Sequence, residues 1–337
     1  MSKVTRSVLV DIELRLKNAN VSSPRFDAES LVAFVLNTSR NRVGLVAEIT
    51  DEQYREIEKL VEKRVRRIPL QHLIGEQGFR HLVLNVGPGV FIPRPETEIL
   101  VESVIRFIKD KNQDRTLVVD YCSGSGAIAL SIAKECSNVE VFAIEKSVEA
   151  FKYLEANYQK YANEINSHNS KVHLINADIN DEVEVLDKLK SQIDVVVSNP
   201  PYIPENMVPK EIEVKDHDPA LALYGGKDGL EIVRIVIDKA QKLLKKSGLV
   251  AIEHSDLQGN PDLELSVPYL LKESNSFEKI EDRKDLNALP RYCVGIKKCF
   301  VNLICKMNLK EKLVWNQQQL LHDVEILLFF PQILFTV

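Results

Sequence analysis

The sequence predicts an α/β protein: a seven-stranded, mainly parallel sheet flanked by helices and preceded by a small helical domain. From residue 116 to about 297, short runs rich in Val and Ile alternate with stretches of helical spacing, the signature of successive strand–helix–strand units. Residues 1–70 carry helical spacing instead. Length and composition set the bounds. A chain of 337 residues has room for two domains, and 45% hydrophobic against 28% charged residues supplies a substantial core and excludes wholesale disorder.

The elements follow in order. Ala28, Leu31, Val32, Val35 and Leu36 recur at helical spacing. Thr50 and Gln53 form the N-cap and third position of a capping box, opening a helix that runs to the break at Pro69. The cluster Lys63, Arg64, Arg66 and Arg67 reads as a solvated helix end, with a basic docking face as the alternative. Residues 71–97, punctuated by glycine and proline, read as a hairpin or linker, and helical spacing resumes at Glu96. The seven strands are expected at 116–120, 139–145, 172–176, 193–198, 249–254, 277–282 and 292–296, with helices at 127–136, 148–161 and 230–246 between them. A short loop joins the last two strands, so the seventh should run antiparallel to its neighbour. The tail, 298–337, fits an amphipathic helix through Leu309, Leu313, Leu320, Leu321, Val324, Leu327 and Leu328 and carries no visible chemistry.

Several function classes drop out. With 44 Lys+Arg against 49 Asp+Glu, the net charge of −5 argues against a bulk electrostatic nucleic-acid binder. Five scattered cysteines point to reduced thiols, with neither a disulfide framework nor a paired zinc site, and no metal is expected. No apolar run reaches the roughly 18–20 residues of a membrane span. The N-terminus lacks the apolar core of a signal peptide, and Asp11 and Glu13 are unlike an acid-poor transit peptide.

Chemistry concentrates at two strand ends. The first strand ends at Asp120, and Ser123, Gly124, Ser125 and Gly126 lead into a helix; a turn this tight lets a ligand approach the backbone. Glu145, 19 residues after Gly126, closes the second strand, where a carboxylate can hold both hydroxyls of a ribose. Position 129 is Ala, so the dinucleotide fingerprint is incomplete and a nucleoside without pyrophosphate fits better. Asp178, after the third strand, either accepts from an adenine amino group or caps its own loop. The fourth strand runs into Asn199, Pro200, Pro201 and Tyr202. The prolines hold this loop extended, so the Asn199 side-chain carbonyl and the Pro200 backbone carbonyl can together accept both hydrogens of a planar NH2 group. Tyr202 can pack on the flat group. That arrangement aims a weakly nucleophilic nitrogen at an electrophilic methyl.

These residues resemble S-adenosylmethionine-dependent methyltransferases with a seven-stranded Rossmann-like fold. More narrowly, the chain resembles the HemK/PrmC family of protein-(glutamine-N5) methyltransferases over about 25–297. The resemblance includes Arg67-Ile-Pro-Leu-Gln-His-Leu-Ile-Gly-Glu, Pro88-Gly-Val-Phe-Ile-Pro-Arg-Pro-Glu-Thr-Glu, Asn199-Pro-Pro-Tyr, Asp218-Pro-Ala-Leu-Ala-Leu and Gly225-Gly-Lys-Asp-Gly-Leu. It implies methylation of the glutamine side chain in the Gly-Gly-Gln loop of class I peptide-chain release factors, with S-adenosylmethionine as cofactor. It implies a cofactor site of Asp120, Ser123, Gly124, Gly126, Glu145, Asp178, Phe91, Pro93 and Asn199. Asn199, Pro200, Pro201 and Tyr202 would hold the glutamine, with Asn199, Pro200 and Tyr202 catalytic. Residues 1–70 would grip the release factor, 71–97 would link, and 98–297 would catalyse. Direct contact with nucleic acid or membrane is not expected. A bacterial enzyme of this kind would be cytoplasmic, a eukaryotic one mitochondrial.

The sequence departs from the family at three places. Tyr121-Cys122-Ser123 stands where the family reads Leu-Gly-Thr, Glu145 where it has Asp, and Glu253-His254-Ser255 where it reads Glu-x-Gly. His254 is expected either on the crevice wall or at the surface. The tail after Lys298 matches nothing in the family and reads as an alternative transcript end or a gene-prediction artefact. The rival reading is an adenine-N6 or cytosine-N4 amino methyltransferase, which would use the same loop on a flipped base.

Overall fold

Alternating strand and helix form a single seven-stranded sheet in the computed structural model, which describes residues 2–299. The chain begins with β1 (Ser2–Val4), α1 (Thr5–Asn18), α2 (Pro24–Val35), β2 (Glu48–Thr50), α3 (Asp51–Val65) and α4 (Leu70–Ile74). Pro24 occupies the first turn of α2, where its missing N–H costs nothing. The Thr50 side chain accepts from the Gln53 N–H, and Gln53 accepts from the Thr50 N–H, so the expected capping box forms. Ile12, Leu16, Leu31, Ile57 and Val61 are fully buried in a core of this region's own.

A hairpin follows, β3 (Glu76–Phe79) and β4 (Leu82–Asn85), then α5 (Thr97–Lys111). The main sheet is built by β5 (Thr116–Tyr121), α6 (Ala127–Glu135), β6 (Val139–Glu145), α7 (Val148–Ser167), β7 (Lys171–Asn176), α8 (Glu184–Asp187) and β8 (Ile193–Ser198). It is completed by α9 (Ile212–His217), α10 (Ala220–Leu223), α11 (Glu231–Leu243), β9 (Leu244–Glu253), α12 (Val267–Glu273), β10 (Phe277–Lys284) and β11 (Pro290–Lys297). The helix expected over 230–246 therefore stops at Leu243. Leu244 pairs with Ile193 and joins the sheet, while Ser247 takes a left-handed conformation where the register shifts.

Strand order is β10-β11-β9-β8-β5-β6-β7. All neighbours are parallel except β11, which inserts antiparallel between β9 and β10. Alternate residues bury on opposite faces. Val118, Val141 and Val195 meet one core, against α5, α6 and α7, while Val119, Phe142 and Val196 meet the other, against α11 and α12. Burying both faces explains why these strands read as continuous apolar runs. From β5 the chain steps outward through β6 to β7, then returns to β8 on the other side of β5. That reversal opens a crevice beyond the carboxyl ends of β5 and β8, the place where open sheets of this kind bind ligands. Among the described residues no helix is long and apolar enough to cross a membrane.

Candidate active site

The turn after β5 is made by three left-handed residues at alternate positions, Cys122 (φ 61°), Gly124 (φ 57°) and Gly126 (φ 89°). Cys122 thus stands where the backbone favours glycine, and an L side chain there costs roughly 1–2 kcal/mol. A Cβ on Gly124 would meet nothing within 4 Å, so its backbone faces open space, whereas one on Gly126 would crowd Leu130 and Leu154 behind the turn. The Gly124 N–H donates to Glu145 Oε2 (2.8 Å) and the Ser147 N–H to Glu145 Oε1 (2.8 Å). Burial raises the Glu145 pKa, and these backbone donors oppose the rise.

A cavity of about 280 Å³ opens above this turn. It brings together Phe91, Pro93, Ser123, Gly124, Glu145, Asp178, Asn199, Pro201 and Tyr202, residues drawn from segments far apart in the chain. Three expected site residues, Asp120, Gly126 and Pro200, lie off its wall. Asp120 is wholly buried beneath the turn with both carboxyl oxygens lacking a hydrogen-bond partner, and burial pushes its pKa up to about 8. Pro200 is buried behind the loop, and no turn or loop hydrogen bond engages its carbonyl. Asp178 is on the wall, yet it is committed locally: its Oδ1 accepts from the Asn180 N–H (2.9 Å) and its Oδ2 pairs with Lys146 (2.7 Å). These partners, with the Asn180 N–H the larger influence, hold its pKa below the usual range.

The 199–202 loop is braced from outside itself, by Thr97 of the segment expected to cover the methionine end of the cofactor and by residues with no role assigned beforehand. The Asn199 Nδ2 donates to Thr97 Oγ1 (3.3 Å). Glu253, at the end of β9, is 2% exposed; burial pushes its pKa up to about 7, and contacts with Thr97 and Asn199 pull it back. Buried Gln258 donates to the Tyr202 carbonyl (3.1 Å). The glycines of 225–229 also find their purpose here: a Cβ on Gly225 would overlap the Pro201 carbonyl, and one on Gly229 the Tyr202 carbonyl. Only residues lacking Cβ let this segment lie against the loop backbone. Burial raises the Tyr202 phenol pKa, so it stays neutral.

Two segments cover the cavity. Arg94 stacks over Phe91 (5.1 Å to the ring centroid) and reaches buried Asp218 (2.8 Å). Burial pushes the Asp218 pKa up to about 6 against the opposing pull of Arg94. The other segment, 203–223, contributes Val214, Pro219 and Leu221 to the wall. It is tied to the helical region, because Arg64 donates to Asp27 (2.7 Å) and to Glu213 (2.9 Å), and Arg67 Nε donates to Glu213 (2.8 Å). The expectation of a solvated basic helix end fails for Arg64, which is 4% exposed, and for Arg67, most of whose side chain is covered. His254 likewise lies neither on the crevice wall nor at the surface: it is fully buried, with Nε2 2.9 Å from Asp282.

The strand order, with its reversed final hairpin, is that of the seven-stranded methyltransferase fold. The family model for the PrmC N-terminal domain matches residues 7–75, and that for conserved hypothetical protein 95 matches 73–224. Release factor glutamine methyltransferase from Streptomyces coelicolor is 39% identical over 288 residues, covering 84% of this chain and 94% of that protein. The enzyme of the same name from Mycolicibacterium smegmatis is 38% identical over 282 residues, with the same two coverages. A solved protein-(glutamine-N5) methyltransferase (release factor-specific) from Alicyclobacillus acidocaldarius is 26% identical, covers 64% of this chain and 99% of that one, and has a TM-score of 0.36. The chain belongs to the release factor glutamine methyltransferase family.

Proposed function

We propose that this protein transfers a methyl group from S-adenosylmethionine to the side-chain amide nitrogen of the glutamine in the Gly-Gly-Gln loop of a class I release factor. One observation carries the reading: the 199–202 loop and the glycine turn share one cavity, with Asn199 held so that its amide nitrogen is occupied by Thr97. Its Oδ1 is left to accept from a ligand.

The residues fit the cofactor. Glu145 stands beside the turn where a pair of ribose hydroxyls would reach its carboxylate, and Gly124 leaves open space where a side chain would block a ligand. Ser125 Oγ, also on the wall, is buried without a partner. In this reading Ser123, Gly126 and Asp120 shape the turn, Phe91 and Pro93 cover the methionine end, and Asp178 bounds the adenine end. Bound S-adenosylmethionine supplies an electrophilic methyl on sulfur. An amide nitrogen is a poor nucleophile because its lone pair is delocalised into the carbonyl. The Asn199 Oδ1 and the Pro200 carbonyl accept its two N–H groups, while Tyr202 packs on the amide plane. Together they turn the lone pair toward the methyl, lowering the barrier chiefly by positioning. Transfer of the methyl would leave S-adenosylhomocysteine behind, and the proton displaced from the nitrogen would pass to solvent.

Residues 1–70 are assigned to gripping the release factor, 71–97 to linking and 98–297 to catalysis. The predicted tail beyond 299 lies outside the described residues. The relatives' names favour a release factor over an adenine or cytosine amino group as acceptor. A bacterial setting places the reaction in the cytoplasm, a eukaryotic one in mitochondria. The test uses labelled S-adenosylmethionine with a class I release factor, wild type and Gly-Gly-Gln Gln→Ala. Label on the wild-type factor alone is expected. Equal label on both, or label only on added nucleic acid, would overturn the proposal.

A further inference from the structure

Asn199 can serve the amide only in one of the two orientations of its carboxamide. With Oδ1 toward the cavity it accepts; flipped, it would point N–H groups at the N–H groups of the substrate. The two orientations have almost the same shape, so packing alone does not choose between them. The choice falls to the groups that Nδ2 faces, Thr97 Oγ1 at 3.3 Å and, beside it, the Glu253 carboxyl. A hydroxyl can either accept from Asn199 or donate to it, and so does not settle the matter by itself.

Glu253 does. Ser198 pairs with Ile252 in the parallel register of β8 and β9, which brings Asn199 and Glu253 out side by side at the carboxyl ends of these strands. Thr97, 3% exposed at the start of α5, sits with them. The Glu253 carboxyl is buried against Thr97 and Asn199, and its Oε2 has no hydrogen-bond partner. A buried carboxylate with an unfilled oxygen asks for a role.

We propose that Glu253 is a positioning residue, which as a carboxylate accepts the hydrogen bond of the Thr97 hydroxyl and so obliges Thr97 to accept from Asn199, fixing Asn199 Oδ1 toward the glutamine amide. The ionised carboxylate can only accept. The Thr97 O–H then points to Glu253, its lone pair faces Asn199 Nδ2, and Oδ1 is left for the substrate. Protonated Glu253 gains a donor of its own, can donate to Thr97, and releases the Thr97 hydrogen toward Asn199, which favours the flipped carboxamide. The remaining ionisable groups around Glu253 are Arg291, Glu96 and Tyr202; Arg291 favours the charged form and Glu96 opposes it. The Arg291 guanidinium is itself paired with Asp285 at 3.0 Å, so Glu253 does not have it to itself. Burial places the switch near neutrality, at about 7.

The inference rests on the proposed glutamine methylation, and the wild-type assay against the Gln→Ala factor tests that reading separately. Single-turnover methylation by the full chain is followed from pH 5.5 to 9, together with cofactor affinity by calorimetry. Wild type is expected to gain rate through an apparent pKa near 7. Glu253→Gln, uncharged at every pH and no longer obliged to accept, should lose that limb and fall by up to about 100-fold in rate, the scale of a misplaced reacting group. Its cofactor affinity should stay within about threefold, as expected of a group that touches no cofactor. Thr97→Val should lose rate to a similar degree, and Thr97→Ser should restore most of it. Retention of the low-pH limb by Glu253→Gln would overturn the proposal, as would parallel loss of rate and cofactor affinity. If Glu253→Gln does not fold, the Thr97 pair decides: equal rates for Ser and Val would overturn it.

Discussion

Replacing Glu145 with Gln keeps the shape and burial of the side chain and removes its charge. In the free protein this carboxylate takes two backbone N–H groups at 2.8 Å, from Gly124 and Ser147. Gln has one acceptor oxygen and sets an NH2 against the other N–H, so one of these bonds is lost. In the proposed complex it also loses one charged acceptor for a ribose hydroxyl. A hydrogen bond to a charged group is worth about 1.5–3 kcal/mol, which converts to roughly 10- to 150-fold in affinity. Calorimetric titration with S-adenosylhomocysteine, which cannot react onward, reads the binding loss, and thermal unfolding of the free protein reads the loss of the brace. We expect both to fall. A lower melting temperature with unchanged affinity would show Glu145 to be a brace for the glycine turn alone, and the ribose assignment would be wrong.

Asn199→Ala should abolish methyl transfer while cofactor affinity stays within about tenfold, since the side chain acts on the acceptor nitrogen; a variant with wild-type turnover would remove the amide-holding role. Asp120, with its pKa raised from 3.8 to about 8, keeps a proton that the unfolded chain releases. Stability on its account therefore falls as pH rises from about 4 to 8, at up to about 1.4 kcal/mol per pH unit. Asp120→Asn should gain on wild type in melting temperature between pH 5 and pH 8, and a constant difference would refute a neutral buried acid. Glu213 has the opposite sign. Held at about 2 by Arg67 and Arg64 against the cost of burial, it stabilises above about pH 4.5 and loses that contribution as pH falls toward 2. Glu213→Gln should cost about 1–2 kcal/mol in urea unfolding at pH 7, after allowance for solvent screening, and much less at pH 2.5. An equal cost at both pH values would exclude an ionic origin.

Periodicity located the sheet because each strand is apolar enough to announce itself, and its edges erred where charge hid the pattern. Lys245 and Lys246 look like the end of a helix, yet they extend β9 because Leu244 has a partner in Ile193, and only the folded sheet supplies that partner. The same blindness affected Arg64 and Arg67. A local charge cluster has no knowledge of a glutamate 146 residues away. Loops with their own chemistry were legible: the capping box at Thr50, the turn at Gly124 and Gly126, the carboxylate at Glu145, and the extended 199–202 loop. What braces them was not. Glu253, Gln258, Gly225 and Gly229 act through neighbours brought by topology, so even the motifs that hold Gly225, Gly229 and Glu253 do not disclose what these residues brace. Cys122 is the converse case. The residue type argued against a left-handed turn, and the backbone adopts one regardless because Gly124 and Gly126 already commit the loop.

The shared carboxylate of Glu213 makes the two halves of this chain poor candidates for mix-and-match. A hybrid carrying the helical region of one relative on the catalytic region of another inherits two arginines and one glutamate from different histories. Residues 64, 67 and 213 would have to travel as a set, with Asp27 completing the group. A graft that kept Arg64 but lost Glu213 would leave half of a buried cation's partners missing. The segment over the cavity would then lose its tie to the helical region and keep its ion pair between Arg94 and Asp218. Such a hybrid would reveal whether the head and the roof of this enzyme are separable parts or one inherited unit.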